Sequence, residues 1–332
     1  VVRTKALLLI SGGLDSAVAA KVVLQQGIGL EALNFVSPFC QCRKGCGDLA
    51  KLAEELGIKL HIVPLFEEYL EIVKNPKHGY GSNLNPCIDC RILMFKKAKA
   101  FMEKIGASFL VTGEVLGQRP MSQRMEALRL IEKESDLEGL VLRPLSAKFL
   151  PPTRAEKEGW IDRELLLSIK GRSRKKQYEL AKTYRISSFS CPSGGCLLTD
   201  PGFSKRLRDL LKHCSDPTLN DIELLKLGRH FRLSFEAKLV VGRNREENEK
   251  IRKLCRSGDL LFEVPSFSCP VSIARGSMSE EDILTSARIE ARYSDAPKDG
   301  SVEVKCSTFD GKVVTLNVRP ASEKELLALM IC

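Results

Sequence analysis

Apolar residues in the first 145 positions fall into short blocks separated by amphipathic stretches. KALLLI (5–10) is an unbroken apolar run, the pattern of a strand buried on both faces. DSAVAAKVVLQQG follows with the spacing of a helix. LEALNFV (strand), DLAKLAEELG (helix), IKLHIVPL (strand), ILMFKKAKAFMEKIG (helix), SFLVTG (strand) and LVLRPL (strand) continue the rhythm. Alternation of this kind predicts an α/β fold, a doubly wound parallel sheet. The PPT at 151–153 breaks the pattern. After it come a basic cluster (Arg172, Arg174, Lys175, Lys176) and one helix, KKQYELAKTY. Beyond about residue 220 the blocks AKLVVG, DLLFEV, SVEVKC and KVVTLNV predict a smaller α+β module. The expected division is 1–150 for the parallel sheet, 151–215 for a helical and loop extension, and 216–332 for the α+β part.

The chain has 332 residues, 43% hydrophobic and 28% charged, which fits a soluble globular protein of two or three domains. No apolar run reaches the roughly 18 residues a membrane span needs. Arg3 and Lys5 lead straight into a strand rather than a secretory signal, so a cytoplasmic address is expected. Twelve cysteines there would stay reduced and serve as metal ligands, reactive thiols or small apolar residues. A formal net charge of +10 favours a polyanionic partner. Basic residues outnumber acidic ones between Lys205 and Arg256.

LLLISGGLDSAVAA carries the strongest local chemistry. A buried strand ends at Ile10, Gly12 and Gly13 permit a sharp turn, and a helix begins near Asp15. Backbone N–H groups of such a turn, with the helix N-terminus, form an anion site. Ser11 and Ser16 add hydroxyls, and Asp15 would hold Mg²⁺ or cap the helix. The absence of GKS or GKT excludes a Walker A loop. NPCIDCR (85–91) places Cys87 and Cys90 three apart before a helix, a spacing suited to metal binding, disulfide exchange or mere proximity. The four histidines are isolated and are assigned no role.

SGGLDS resembles the pyrophosphate loop of the N-type ATP pyrophosphatases, which implies ATP as the nucleotide and AMP transfer to an oxygen of the substrate. The run FLVTGEVLGQRPMSQRMEALRLIEKESDLEGLVLRPL (109–145) is similar to ThiI, the 4-thiouridine synthases of tRNA. Carried over position by position, Gly113 and Gln123 are expected nucleotide contacts and Arg91 a basic one. The chain has one extra residue between Gln118 and Gln123. Phe35, at the end of the second predicted strand, joins the expected contacts because the ATP pocket lies near that end. The sequence leads directly into its first strand, so an arrangement without the RNA-binding THUMP region usual in ThiI is expected, and nothing after residue 200 resembles a rhodanese.

NPCIDC and SGGCLLTDPGF resemble the two cysteine segments of the 2-thiouridylase MnmA. Cys90 and Cys196 match its cysteines, and Cys87 stands where it has Asp. Several thiolases of this superfamily hold a 4Fe–4S cluster on three cysteines, and the resemblance implies one here on Cys87, Cys90 and Cys196, with Cys90, Cys196 and Asp15 in catalysis. A zinc site completed by Cys191, or a thiol pair cycling through persulfide and disulfide, remains open. Cys40, Cys42 and Cys46 are candidates for a second metal or persulfide relay.

The implied function is ATP-dependent thiolation of a tRNA uridine, 4-thiouridine in preference to 2-thiouridine, with inorganic sulfide or a sulfur-carrier protein as sulfur source. Two alternatives are an adenylating enzyme for a small molecule with structural zinc, and an RNA-binding protein with a regulatory nucleotide site. FRLSFEAKLVVGRNREENEKIRKL resembles the NFACT RNA-binding domain, which implies phosphate contacts from Arg229, Arg232, Lys238, Arg243 and Arg245.

Overall fold

A computed structural model describes residues 4–40, 47–189 and 195–331. Two compact units divide the chain, Val1–Thr199 and Asp200–Cys332. The stretch 151–199 therefore belongs to the first unit, and 200–215 to the second. No helix among the described residues is long and apolar enough to cross a membrane.

The first unit is built on a five-stranded parallel sheet: β1 (Lys5–Leu9), β2 (Gly29–Val36), β3 (Lys59–Pro64), β4 (Phe109–Thr112) and β5 (Val141–Leu142). Their order is β3-β2-β1-β4-β5, and every neighbouring pair is parallel. The helices are α1 (Leu14–Leu24), α2 (Gly47–Leu56), α3 (Glu67–Lys74), α4 (Cys87–Ile105), α5 (Met125–Glu134), α6 (Arg154–Lys157) and α7 (Lys175–Thr183).

Alternation along β1 explains the two layers, because successive side chains point to opposite faces. Ala6 and Leu8 pack with α1, α2 and Ala181 of α7, whereas Leu7 packs with Ile92, Phe95 and Ile131 of α4 and α5. Both faces are thus covered, as the continuous apolar run of β1 predicts. Strand order reverses direction between β1 and β4. Ligands of open α/β sheets bind at that crevice, outside the carboxyl ends of the strands.

The second unit carries a six-stranded antiparallel sheet in the order β11-β10-β8-β9-β7-β6. Its strands are β6 (Arg229–Arg232), β7 (Ala237–Val241), β8 (Leu260–Glu263), β9 (Ser272–Gly276), β10 (Val302–Thr308) and β11 (Val313–Val318). Its helices are α8 (Pro201–His213), α9 (Leu219–Leu224), α10 (Arg245–Leu254), α11 (Glu280–Tyr293) and α12 (Glu323–Leu329). Leu239, Val241 and Ala274 face a core shared with α11, while Val240 and Ile273 face Leu224 of α9 and Ile251 of α10.

Inside the first of those cores Glu290 is fully buried and accepts a hydrogen bond from Ser272. Burial pushes its carboxyl up to about 8, against an unfolded value near 4.5. A folded-state value raised in this way gives stability that is complete below the unfolded value and lost as pH rises through the folded one. Between those values the loss should run at roughly 1.4 kcal/mol per pH unit. Chemical denaturation at pH 5 and pH 8 should show this unit weakening, and Glu290→Gln should flatten the difference. Equal slopes in the two proteins would refute the assignment.

Candidate nucleotide and thiol site

The carboxyl ends of β1 and β4 meet at one place. Gly12 has φ +75, left-handed backbone open to glycine at little cost, and it turns the chain from β1 into α1. Ser16 Oγ donates to Gly13 O at 2.9 Å and accepts from Ser11 N–H at 3.4 Å, closing the turn. Gly13 N–H donates to Ser11 Oγ at 3.4 Å. Gly113 follows β4 directly and lies against the first turn of α1. A Cβ there would sit 2.5 Å from Ser16 N and 2.6 Å from Asp15 C. The glycine at 113 is thus required by backbone packing, whatever else it contacts.

Asp15 does not cap α1. Gly13 occupies the N-cap, and Asp15 turns its carboxylate toward the 115–118 loop instead. Oδ2 accepts from Gln118 Nε2 at 2.7 Å, and Gln177 Nε2 of α7 donates in turn to Gln118 Oε1 at 3.2 Å. Arg174 Nε stands 3.8 Å from the same Asp15 oxygen. Asp15 Oδ1 is buried without a hydrogen-bond partner in the protein, which suits a cation ligand. The basic cluster of the sequence is therefore brought, through Arg174, to the glycine loop. Residues 170 and 171 reach it beside Leu116, where Gly171 N–H donates to Leu116 O at 2.8 Å.

The N-terminus of α4 joins the site through Arg91. Arg91 Nε is 3.7 Å from Glu114 Oε1, and Arg143 Nε is 3.0 Å from Glu114 Oε2. Glu114 and Arg143 are each 3% exposed. A buried carboxylate shared by two guanidiniums fixes Arg91 in place and, with the nearby thiols, holds its pKa above the ordinary value against burial. Arg119 lies near enough to Arg91, Cys87, Arg174 and Asp15 to feel all four. Burial and its like-charged neighbours lower its pKa. Gln123 closes the 117–123 loop, its carbonyl accepting from Gly117 N–H at 2.7 Å, and its side-chain oxygen is buried and unpartnered. Phe35 is half-buried and packs into the apolar core beneath α4.

The thiols gather on the same side of the sheet. Cys87 begins α4, and Cys90 N–H donates to Pro86 O at 2.8 Å, the first turn of the helix. Asp89 accepts from His78 N–H at 3.0 Å and so ties down the loop before α4. Cys196 arrives from far along the chain. Leu197 N–H donates to Phe39 O at 2.8 Å, Leu84 N–H to Leu198 O at 3.1 Å, and Asn83 Nδ2 to Thr199 O at 2.8 Å. Cys40 and Cys196 stand opposite each other as a single antiparallel bridge.

Tyr69 of α3, 2% exposed, lies near Cys90 and Cys196, and its hydroxyl partly offsets the effect of burial on both thiols. Burial pushes the Cys90 thiol up to about 12 and the Cys196 thiol up to about 11, and each is raised further by neighbouring thiols. Cys87, Cys90, Cys196 and Cys40 share one neighbourhood. Among the described residues, however, no three Cys, His, Asp or Glu side chains converge closely enough to hold a metal ion. Cys42, Cys46 and Cys191 lie outside the described residues. Soft thiols in this number suit iron–sulfur or zinc chemistry. Tyr69, Glu114, Gln118, Arg119 and Gln177 were not among the residues expected from sequence. Only EVLGQ carried a local signal, and that for the loop as a whole.

The first unit is an open α/β fold on a parallel five-stranded sheet, and its glycine turn, Asp15 and arginines stand at the carboxyl ends of the strands, where ligands of such sheets bind. Residues 1–148 match the family model described as Thiamine biosynthesis protein (ThiI), and residues 228–330 match that of the NFACT protein RNA binding domain. The chain resembles PP-loop thiolases of tRNA. A "Probable tRNA sulfurtransferase" of Lysinibacillus sphaericus is 37% identical over 146 residues, which is 42% of this chain and 34% of that protein. One of Staphylococcus aureus is 36% identical over 148 residues, again 42% and 34%. The chain thus spans about a third of the length of the curated relatives it matches. Among solved structures, a 4-thiouridine synthetase in complex with RNA and ATP aligns at 28% identity and TM-score 0.40, over 67% of this chain and 52% of that one. The U34-tRNA thiolase NcsA of Methanococcus maripaludis, solved with its [4Fe-4S] cluster, aligns at 18% identity and TM-score 0.35, over 68% and 73%.

Proposed function

We propose that the protein is an ATP-dependent tRNA sulfurtransferase, forming 4-thiouridine in preference to 2-thiouridine. The observation that carries the reading is the meeting of two chemistries at one sheet edge. Cys90 and Arg91 are consecutive, and Arg91 is held by Glu114, two residues beyond the end of β4. A thiol group and a polyphosphate site are thus neighbours, as a reaction needs when a nucleotide-activated oxygen is replaced by sulfur.

The loop N–H groups of Ser11–Ser16 and the α1 N-terminus receive the phosphates of ATP, with Arg91, Arg119 and Arg174 facing the same charge. Asp15, through its unpartnered Oδ1, would hold Mg²⁺ beside them. Gln118 and Gln177 fix the carboxylate that does so. The uridine oxygen attacks the α-phosphorus, pyrophosphate leaves, and sulfide then displaces AMP from the ring carbon. Cys87, Cys90 and Cys196 would hold a 4Fe–4S cluster, which supplies an iron site for sulfide; zinc on the same thiols would be structural only. Tyr69 positions Cys90 and Cys196, and Glu114 positions Arg91. The tRNA partner is supported by the resemblance to tRNA sulfurtransferases in the first unit and to an RNA-binding domain in the second.

Anaerobically purified protein should contain iron and acid-labile sulfide. With tRNA, ATP and inorganic sulfide it should release AMP and pyrophosphate in step with thiouridine, read by nucleoside mass spectrometry. AMP and pyrophosphate formed only with a small-molecule acceptor, and never with tRNA, would overturn the reading.

A further inference from the structure

The basic residues expected to grip an RNA backbone in the second unit are largely engaged within it. Arg232 donates to both oxygens of Asp209 at 3.1 and 2.6 Å. Arg243 pairs with Glu247, Arg245 with Glu249, and the Arg229 guanidinium lies 4.9 Å from the Tyr293 ring centroid. Lys238 is only 8% exposed. It is not placed to touch a strand passing over the surface.

Strand register gives these residues another meaning. Arg232 of β6 stands opposite Lys238 of β7, and Lys238 opposite Arg275 of β9. Three cations therefore form one row across three adjacent strands, on the face that also carries Val240 and Ile273. Like charges directly opposed weaken a sheet. Carboxylates relieve the two outer members: Asp209 takes Arg232, while Asp259 and Asp221 take Arg275 at 2.7 and 2.8 Å. The central member is left over. Lys238 Nζ is buried without a hydrogen-bond partner, and its ion-pair oxygen, Asp209 Oδ2, stands 3.5 Å away and already serves Arg232.

This row lines a cavity of about 330 Å³, together with His230, Asp221 and Asp259. The volume suits a phosphorylated small group. His230 is 1% exposed, and burial with the nearby Lys238 charge lowers its pKa well below the ordinary value, so the ring is neutral. Its Nε2 lies 2.7 Å from Leu227 O. A carbonyl only accepts, so Nε2 carries the proton and Nδ1 presents a lone pair. Nδ1 is buried and unpartnered. Two residues that line the cavity thus carry one unsatisfied cationic donor and one unsatisfied acceptor.

We propose that this cavity binds the terminal phosphate of a ribonucleotide, its anionic oxygen on Lys238 and a hydroxyl of the same group or its ribose on His230 Nδ1. An internal phosphodiester has no P–OH, and its two continuing strands would keep it from a buried Nζ. Burial pushes the Lys238 ammonium down to about 8, and an entering anion restores the charge that Asp209 only partly supports. The site belongs wholly to the second unit and does not depend on the nucleotide site of the first.

The test uses the full chain and calorimetric titration with inorganic phosphate, AMP, and a short oligoribonucleotide bearing either a 5′-phosphate or a 5′-hydroxyl. The 5′-phosphorylated RNA should bind at least tenfold tighter than its 5′-hydroxyl twin and should compete with inorganic phosphate. AMP binding that is as tight as that of the 5′-phosphorylated RNA and is lost in Lys238→Met would identify a free nucleotide as the ligand, and much weaker Lys238-dependent AMP binding an RNA end. Lys238→Met should remove the preference, whereas Arg174→Ala, beside the glycine loop, should leave it. Equal binding of the two RNAs to the unaltered protein would overturn the proposal, and so would a preference lost in Arg174→Ala but kept in Lys238→Met. Thermal unfolding of each variant reports whether the second unit still folds, and the comparison of the two RNAs needs no variant at all.

Discussion

Gly113→Ala should lower ATP-dependent pyrophosphate release about 100-fold, the cost of a displacement near 1 Å in a reacting geometry. The added methyl would meet Ser16 N at 2.5 Å and Ser16 Cα at 2.7 Å. Both are backbone atoms of the turn that receives the phosphates, so relief requires moving that turn or the end of β4. Overpacking of this kind costs about 1–3 kcal/mol of stability. Fluorescent-nucleotide binding should fall together with turnover, while the second unit keeps its own unfolding transition. Full activity in this variant would mean that α1 and β4 tolerate separation, and that the closeness of the two strand ends is dispensable.

Cys196→Ser should have the opposite signature. Nucleotide binding should persist, because Cys196 lies on the thiol side of Arg91, whereas thiouridine should fall about 10³-fold or more. Iron content should drop in the same variant. Cys40→Ser, across the single bridge from Cys196, leaves the three-thiol set intact and should keep most of the iron. Unchanged iron in Cys87→Ala, Cys90→Ala and Cys196→Ala alike would remove these thiols from any metal site.

The sequence made local features of the first unit plain and hid the long-range ones. KALLLI followed by SGG needs no partner to be recognised, since a doubly buried strand and a left-handed turn are written in consecutive residues. Cys87 and Cys90 share the start of one helix for the same reason. Cys196 was reached only through resemblance, because its position depends on hydrogen bonds to Phe39, Asn83 and Leu84. Glu114 has no local pattern, and its role exists only when Arg91 and Arg143 arrive from two other elements. Helices α3, α5, α8, α9, α11 and α12, with strands β6 and β9, also escaped sequence reading. β6 is four residues with basic ends and β9 carries Ser, Arg and Gly, so neither shows a clean apolar run. In the second unit the positive charge suggested an open basic face, yet Arg232, Arg243 and Arg245 meet carboxylates 23, 4 and 4 residues away. Net charge counts residues and is blind to such pairing.

The Asp15–Gln118 hydrogen bond spans 103 residues, and Gln118 is itself held by Gln177. On a growing chain the glycine turn is therefore made long before its carboxylate is locked. The last piece, α7, emerges from the ribosome only after the region matching the ThiI model has been completed. Closing such long loops costs entropy before any contact repays it. Nucleotide affinity should thus appear late in synthesis and abruptly, and a nascent chain stalled before α7 would carry the loop without its grip.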